Sequence, residues 1–288
     1  TQNRQACWST IYLIVPYKKG DIMIKLIATD LDGTLLNENG DLPKDFGNIL
    51  KDLTSNHNIK FITASGRPYN TLKEDFKNFT NDIIFIADNG AFISDCNNII
   101  NTNFIEKRLV TSLISHYRKI NKGNLDIILS CIDCAYIEST NEKFIAEMEK
   151  YYYKKKVVSN IEDVTDNVLK ITFCDFNNIK ETADIYFKPI FENELQISFS
   201  GKIWLDITDK HTTKGTGVKT IQEKYAITIG ETMAFGDYYN DITLFEKAYF
   251  SYAMDNASDF IKSKAKFIAP SNIDNGVTKV LKDKFNIS

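Results

Sequence analysis

Short β-forming runs alternate with amphipathic helical patterns in the first part of this chain, and this alternation limits the fold more than any other feature. The runs at residues 24–29, 59–63 and 83–87 are almost wholly apolar, and the segments between them repeat apolar residues at helical spacing. Such an order is typical of βαβ units, whose strands pair in parallel. Because strands that are apolar throughout need cover on both faces, we predict an α/β fold with a doubly wound parallel sheet.

A different pattern occupies the middle of the chain, from about Phe104 to about Lys210. Helical segments alternate there with strands in which polar and apolar residues take turns, as in "VLKITFCD" and "IWLDIT". Strands of this kind are typical of a sheet with one open face. We therefore predict an α+β domain at residues 105–207, inserted into a core that residues 23–104 and 208–288 form.

Residues 1–22 carry a short apolar run that ends at Pro16 and lacks the small-residue cleavage site of a signal peptide. Met23 opens the first β pattern, so we expect residues 1–22 to be an artificial extension or the product of an upstream start. No apolar stretch of the sequence approaches the roughly 18 residues of a membrane span. A membrane is therefore not an expected partner.

Charge and cysteine content narrow the partners and the compartment. The 35 basic and 38 acidic side chains give a net charge of −3, and this balance argues against nucleic acid as a partner. Five cysteines, an odd number, do not suggest a disulfide framework, so we expect a cytoplasmic protein. We further expect a monomer or a weak homodimer. Cys131 and Cys134 have the spacing of a redox pair, but two semi-buried structural cysteines are the favoured interpretation.

Two acids, Asp30 and Asp32 in "TDLDGT", follow the first predicted strand. A solvated turn is one interpretation, since Asp and Gly are ordinary turn residues. Their position favours a second interpretation, a pair of carboxylates at a ligand-binding site. Open α/β sheets bind ligands at the carboxyl ends of their strands, and residues i and i+2 of an extended chain share a face. Neighbouring carboxylates repel each other, so the pair indicates a bound cation or a shared proton. Oxygen ligands favour Mg²⁺ as that cation.

Four motifs resemble, in order, the signatures of the haloacid dehalogenase superfamily of phosphohydrolases. They are "DLDGTLL" from residue 30, "FITASGRP" from residue 61, "TTKGTG" from residue 212 and "AFGDYYNDITLF" from residue 234. In addition, "DNGA" at 88–91 and "AMDNA" at 253–257 are similar to the Cof-type sugar-phosphatase branch, class IIB, which has a large α/β cap between the second and third motifs. The resemblance implies that the inserted domain is such a cap and that it sets substrate preference.

The resemblance also implies catalytic and metal-binding roles. Asp30 would be the nucleophile that accepts the phosphoryl group, and Asp32 the general acid and base. Mg²⁺ would be held by the carboxylates of Asp30 and Asp237 and by the backbone carbonyl of Asp32.

A second group of motif residues would bind the phosphate, namely Ser65, Gly66, Lys214 and Asn240. For the lysine we favour Lys214 over Lys210 and Lys219, because Lys214 opens a predicted helix and Lys219 lies inside it. Asp241 would hold Lys214 or a metal-bound water from behind. Thr34 would offer a supporting hydroxyl.

The function implied is a Mg²⁺-dependent phosphatase for small phosphorylated metabolites, sugar phosphates above all. Two alternatives stay open, a sugar-phosphate phosphomutase on the same fold and a non-catalytic phosphometabolite sensor. For Arg67, contact with the substrate and bracing of the cap are equally good interpretations. We predict that Trp204 and the tyrosines at 151–153 pack in the protein and do not form a binding platform.

Overall fold

The computed structural model of the protein describes residues 23–120 and 123–287, and the extension predicted at residues 1–22 lies outside them. Fourteen strands in two β-sheets belong to these described residues. In chain order the strands are β1 Leu26–Thr29, β2 Lys60–Ala64, β3 Ile83–Ala87, β4 Phe92–Asp95, β5 Asn98–Thr102, β6 Asp126–Cys131, β7 Ala135–Ile137, β8 Lys155–Val157, β9 Val168–Cys174, β10 Leu195–Phe199, β11 Trp204–Asp209, β12 Thr232–Gly236, β13 Phe250–Met254 and β14 Phe267–Ala269.

Helices of very different length connect these strands. In chain order they are α1 Phe46–Ser55, α2 Tyr69–Asp75, α3 Lys107–Ile120, α4 Glu142–Met148, α5 Ile179–Thr182, α6 Lys188–Phe191, α7 Lys214–Tyr225, α8 Ile242–Phe245, α9 Asp259–Lys262 and α10 Gly276–Phe285. Within the described part of the chain, no helix combines the length and the apolar character that crossing a membrane requires.

The first sheet has the strand order β14-β13-β12-β1-β2-β3-β4-β5. Its strands from β14 to β3 all pair in parallel. The range of β3 is the predicted one, whereas β1 begins at Leu26 instead of residue 24 and β2 is shifted by one residue. β4 and β5 form an antiparallel hairpin at one edge. The predicted α/β fold is thus confirmed, and the hairpin edge is an addition to it.

Alternation along the parallel strands sends side chains into two separate cores, because successive residues of a strand point to opposite faces. On β1, Leu26 and Ala28 belong to the apolar cluster of α7 and α8, while Ile27 belongs to the cluster of α1, α2 and α10. Helices therefore cover both faces of the sheet. This cover leaves the carboxyl ends of β1, β2 and β12 as the edge at which side chains can reach a ligand.

The second sheet has the order β10-β11-β9-β6-β7-β8 and is antiparallel except between β7 and β8. The chain enters it after β5 and leaves it after β11. Side chains of α3, α5 and α6 pack on one face, with Leu113 and Phe191 among the buried residues. This part of the chain has its own apolar core.

The other face of the second sheet packs against α4 in one part, through Ile128, Cys174 and Trp204, and is polar in the rest, so the prediction that it is open is wrong. Lys170 and Ser130 on this face contact Gly66 and Asp88, which follow β2 and β3 of the first sheet. The polar face therefore lies against the carboxyl edge of the first sheet. Five polar residues of this face are only 1–2% exposed, namely Ser130, Lys170, Thr172, Asp206 and Thr208.

Candidate active site

Lys214 joins two of the predicted acidic residues. Its Nζ donates to Asp30 Oδ1 at 2.6 Å and to Asp241 Oδ1 at 2.7 Å, and all three side chains are buried. Lys214 is the first residue of α7, whose start is set by reciprocal hydrogen bonds between Thr213 and Thr216. These bonds at the start of the helix fix the backbone position of Lys214, and the charge-assisted bonds to the two carboxylates fix the end of its side chain.

Asp237, Asp30 and Asp241 form a cluster of carboxylates. Each offers an oxygen atom within 4.8 Å of the other two, and in the described part of the chain one ammonium group, that of Lys214, contacts the cluster. Burial and the charge of Asp241 raise the pKa of Asp30 well above its usual range, and the same two causes raise the pKa of Asp237 to about 7. The negative charge thus exceeds the positive charge in a poorly solvated place, and this imbalance suits a divalent cation.

Gly33 and Thr34 shape the position of Asp237. The Thr34 hydroxyl donates to Asp237 Oδ1 at 2.9 Å. Gly33 has a φ of +75°, and a Cβ atom there would lie 2.5 Å from Asp237 Oδ2. Only glycine adopts this conformation without strain and leaves room for the carboxylate.

Asp241 anchors the turn that carries Asp237. Its Oδ2 accepts the backbone N–H groups of Asp237 at 2.9 Å and of Tyr238 at 3.0 Å, while its Oδ1 is bound to Lys214. Both oxygens of Asp241 are therefore engaged by the protein. In Asp30, Oδ1 accepts from Lys214, and in Asp237, Oδ1 accepts from Thr34.

Asp32 has surroundings unlike those of Asp30. Its side chain is 45% exposed, and the guanidinium of Arg67 donates to both of its oxygens, from Nη2 at 2.5 Å and from Nε at 2.9 Å. Arg67 also donates to Asp75 at 2.9 Å and lies 5.5 Å from the ring centroid of Tyr151, which follows α4 beside the second sheet. Arg67 therefore contacts the predicted proton carrier and a cap tyrosine at once.

The turn after β2 carries Ser65 and Gly66. Ser65 is buried, and its Oγ accepts the backbone N–H of Arg67 at 3.1 Å. Because the oxygen accepts that bond, the hydroxyl hydrogen can be donated to a ligand. Asn240 approaches from the turn after β12, and its Nδ2 donates to Asn89 Oδ1 at 3.0 Å while its own buried Oδ1 has no partner among the described residues.

A cavity of about 410 Å³ lies between the two sheets. Lys214, Asp241 and Thr34 contact its lining from behind. The predicted site residues that line it are Asp30, Asp32, Ser65, Gly66, Asp237 and Asn240.

The opposite wall of the cavity comes from residues that the sequence analysis did not place at the site. Trp204 packs against Phe144 and Tyr151, as predicted, but Trp204, Tyr151 and Tyr152 also line the cavity, so the prediction that these residues only pack does not hold. One signal for this wall was available, since polar residues recur at every second position of β9 and β11. Residues of this wall include Glu147, Tyr151, Tyr152, Lys170, Thr172, Trp204 and Asp206.

Comparison with known proteins shows the family. Residues 27–281 match the haloacid dehalogenase-like hydrolases, and the chain belongs to that family. A solved structure from Streptococcus mutans, SMU.1108c, is 29% identical, covers 92% of this chain and 100% of its own, and superposes with a TM-score of 0.86. The HAD subclass IIB sugar phosphatase BT4131 shares the fold at 23% identity, with a TM-score of 0.77 over 91% of this chain and 100% of its own.

Two relatives carry a more specific name. The Escherichia coli protein YbjI is 28% identical over 90% of this chain and 95% of its own length, and the Bacillus subtilis protein YcsE is 26% identical over 92% and 97%. Both are named 5-amino-6-(5-phospho-D-ribitylamino)uracil phosphatases. The protein described here is likewise an enzyme, a phosphatase of the haloacid dehalogenase-like family.

Proposed function

We propose that the protein is a Mg²⁺-dependent phosphatase that hydrolyses phosphomonoesters of small metabolites, sugar phosphates above all, through an aspartyl-phosphate. One observation carries the proposal. The Asp30 carboxylate lies on the cavity surface, held by Lys214 and within metal-bridging distance of Asp237. Nucleophilic phosphoryl transfer requires an ionised carboxylate held in place beside a metal site, and a bound cation would favour the ionised form of Asp30 despite its raised pKa.

Asp30 and Asp237 would hold Mg²⁺ through carboxylate oxygens, together with the backbone carbonyl of Asp32. The unbalanced negative charge of the cluster and the raised pKa of Asp237, about 7, support a cation there. When bound, Mg²⁺ supplies charge that lets an anionic phosphate approach an anionic nucleophile.

The chain's own groups would perform the remaining tasks. Asp30 attacks phosphorus and forms the aspartyl-phosphate, while the Ser65 hydroxyl, the Gly66 backbone and Asn240 orient the phosphate oxygens. Lys214 keeps Asp30 in line and offsets its charge. Asp32, exposed enough to exchange protons, gives one to the leaving alkoxide and later takes one from the attacking water.

We also propose the division of labour between the two parts of the chain. Residues 23–104 and 208–288 form the catalytic core, and residues 105–207 form a cap that excludes bulk water and selects the leaving group. Tyr151, Tyr152 and Trp204 in the cavity wall, and the phosphorylated ribityl chain in the names of YbjI and YcsE, support a sugar or sugar-alcohol phosphate as substrate. Grafting a cap from a relative with another preference should transfer that preference.

The setting of the enzyme is part of the same proposal. We propose a cytoplasmic enzyme that acts on small substrates, not on nucleic acid or membranes, as a monomer or weak homodimer. The four described cysteines are free thiols, which supports a reducing compartment.

A phosphate-release assay on a panel of sugar and sugar-alcohol phosphates tests the proposal, with Asp30→Asn as the inactive reference. We expect turnover of at least one class with added Mg²⁺. Isomerisation of the substrate without net phosphate release would identify a phosphomutase. Tight binding of a phosphoester without either reaction would identify a sensor.

A further inference from the structure

Lys170 is a buried cation in the wall of the cavity. It lies in the middle of β9, in the second sheet, and it is 2% exposed. Its Nζ donates to the backbone carbonyl of Gly66 at 2.5 Å. Gly66 is 104 residues away in the chain and belongs to the turn that would bind phosphate. Lys170 therefore joins the cap to the phosphate-binding turn.

Two carboxylates, one from each part of the chain, compensate the charge of Lys170. Asp88 Oδ1 lies 3.5 Å from Nζ and Asp206 Oδ2 lies 3.6 Å from it. Other groups hold both carboxylates, since Ser130 donates to Asp88 at 2.8 Å and Thr172 donates to Asp206 at 2.7 Å. The ammonium group is thus confined between fixed charges, which offset the cost of burying it.

The bond to Gly66 acts on a peptide group that reaches Ser65. The carbonyl of Gly66 and the N–H of Arg67 belong to one planar peptide, so a bond that fixes the oxygen also fixes the N–H on the opposite side. That N–H donates to Ser65 Oγ at 3.1 Å. Lys170 and the Ser65 hydroxyl are therefore linked through a single rigid unit.

Among the described residues, backbone bonds hold the neighbouring peptides of the turn but not this one. Asn89 N–H donates to the Ser65 carbonyl at 2.9 Å, and Asp88 N–H donates to the Arg67 carbonyl at 3.0 Å. Between these two anchors stands Gly66, whose backbone rotates more freely than that of any other residue type. The Lys170 side chain thus supplies the restraint at the most flexible point of the turn.

We propose that Lys170 is a positioning residue, which orients the Gly66–Arg67 peptide and through it the Ser65 hydroxyl when the cap covers the core. The inference rests on the proposed function, because it takes the Ser65 turn as the phosphate site. An enzyme built in this way has a complete phosphate site only in its closed form. When the cap is open, the substrate would bind to a turn at Ser65 and Gly66 that lacks the bond from Lys170.

Kinetics of Lys170→Met test the proposal, since Met is of similar length and lacks the ammonium. We expect kcat/KM to fall by about 10- to 100-fold, the cost of misplaced binding groups. The fall should be similar for a sugar phosphate and for p-nitrophenyl phosphate, because the phosphate is common to both. Inhibition by inorganic phosphate should weaken in parallel, and Lys170→Arg should recover part of the loss.

The matched control is Lys188→Met, which removes one lysine charge from the same part of the chain. Lys188 is half-buried, pairs with Asp184 at 2.5 Å and lies outside the cavity lining. This variant should keep wild-type kinetics. If Lys170→Met alone does not fold, Asp206→Asn is added to it so that one uncompensated carboxylate is removed, and the same measurements are made against Asp206→Asn.

A double-mutant cycle separates positioning from a general structural role. If Lys170 acts through Ser65, Lys170→Met adds little to the loss in Ser65→Ala, whereas independent effects multiply. Multiplying losses, kinetics equal to those of Lys188→Met, or a loss confined to the sugar phosphate would each overturn the proposal. Should Ser65→Ala itself leave phosphate inhibition unchanged, the phosphate site of the proposed function fails, and the link to Lys170 fails with it.

Discussion

The Arg67 guanidinium holds the Asp32 carboxylate by two hydrogen bonds, of 2.5 and 2.9 Å. Asp30, two residues earlier, is buried and bonded to Lys214 at 2.6 Å. The two acids that the sequence places side by side therefore have different partners and different access to water. Their substitution should have different consequences.

Asp30→Asn should abolish turnover, with a loss on the order of 10⁴-fold, because the nucleophile is gone. Asp32→Asn should depend on the leaving group. We expect a severe loss for a sugar phosphate, whose alkoxide needs a proton, and a milder loss in the first step for p-nitrophenyl phosphate, whose phenolate does not. Rapid-quench trapping with labelled p-nitrophenyl phosphate should show a phosphoenzyme in Asp32→Asn and none in Asp30→Asn.

Asp75→Asn is the control for this pair, since Asp75 also binds Arg67 but does not line the cavity. Its effect should be the same for both leaving groups. Equal losses in Asp30→Asn and Asp32→Asn with both substrates would mean that the acids only hold the metal.

Metal removal should stop hydrolysis. After exhaustive chelation we expect no phosphate release, recovery on addition of Mg²⁺, and inhibition by Ca²⁺, because Ca²⁺ prefers more ligands at longer distances than a compact octahedral site allows. Activity assays with each metal, and calorimetry of Mg²⁺ binding to Asp237→Asn, measure this. Full activity in the chelated enzyme would rule out the metal role of Asp30 and Asp237.

Gly33→Ala should damage the metal site beyond its effect on stability. The new Cβ would lie 2.5 Å from Asp237 Oδ2, and the backbone has a φ of +75°. Gly40→Ala is the matched control, because Gly40 has a φ of +81° and no atom within 4 Å of an added Cβ. Both variants should lose about 1–2 kcal/mol in the free energy of unfolding, measured by urea titration. Only Gly33→Ala should lose Mg²⁺ affinity; equal Mg²⁺ affinity in the two variants would contradict this.

Glu231 should make stability depend on pH. Its bonds to Lys25, at 2.6 Å, and to the Thr228 backbone N–H, at 2.9 Å, lower the pKa of Glu231 from 4.5 to about 2. Because the pKa is lower in the folded state, the stabilisation is complete well above pH 4.5 and is lost as the pH falls towards 2. Glu231→Gln should thus be less stable than wild type at pH 7. The difference between the two in the free energy of unfolding should become smaller below pH 5.

Urea unfolding between pH 3 and pH 7 measures this gap in the free energy of unfolding. Glu223→Gln serves as the control, because Glu223 is exposed and its ion pair with Lys219 is longer, at 3.5 Å. Its gap to wild type should be small at every pH. A gap for Glu231→Gln that does not change with pH would show that the ion pair contributes nothing.

Much of the part of the chain that carries the first sheet could be predicted from the sequence, because its patterns extend over only a few neighbouring residues. The apolar runs of β1, β2 and β3 and the helical spacing of α1 and α7 are read within a few residues. Strand ends mark the carboxyl edge of a parallel sheet, so the positions of Asp30, Ser65 and Asp237 at one edge follow from the same patterns.

The polar face of the second sheet shows where this reasoning stops. Lys170, Thr172 and Asp206 alternate with apolar residues, a pattern that solvent exposure and burial against another polar surface produce equally well. Whether such a face is exposed or buried depends on the surface that packs against it, and that surface comes from residues far away in the chain.

The sequence by itself therefore determined the fold class, the positions of the first strands along the chain and the motif residues at their ends, since hydrophobic period and strand termini depend on neighbouring residues. Only the tertiary structure decided that Arg67 holds Asp32, that Gly33 must make room for Asp237, and that Lys170 reaches Gly66. These contacts join residues far apart in the chain, and their partners are set by how the two sheets pack against each other.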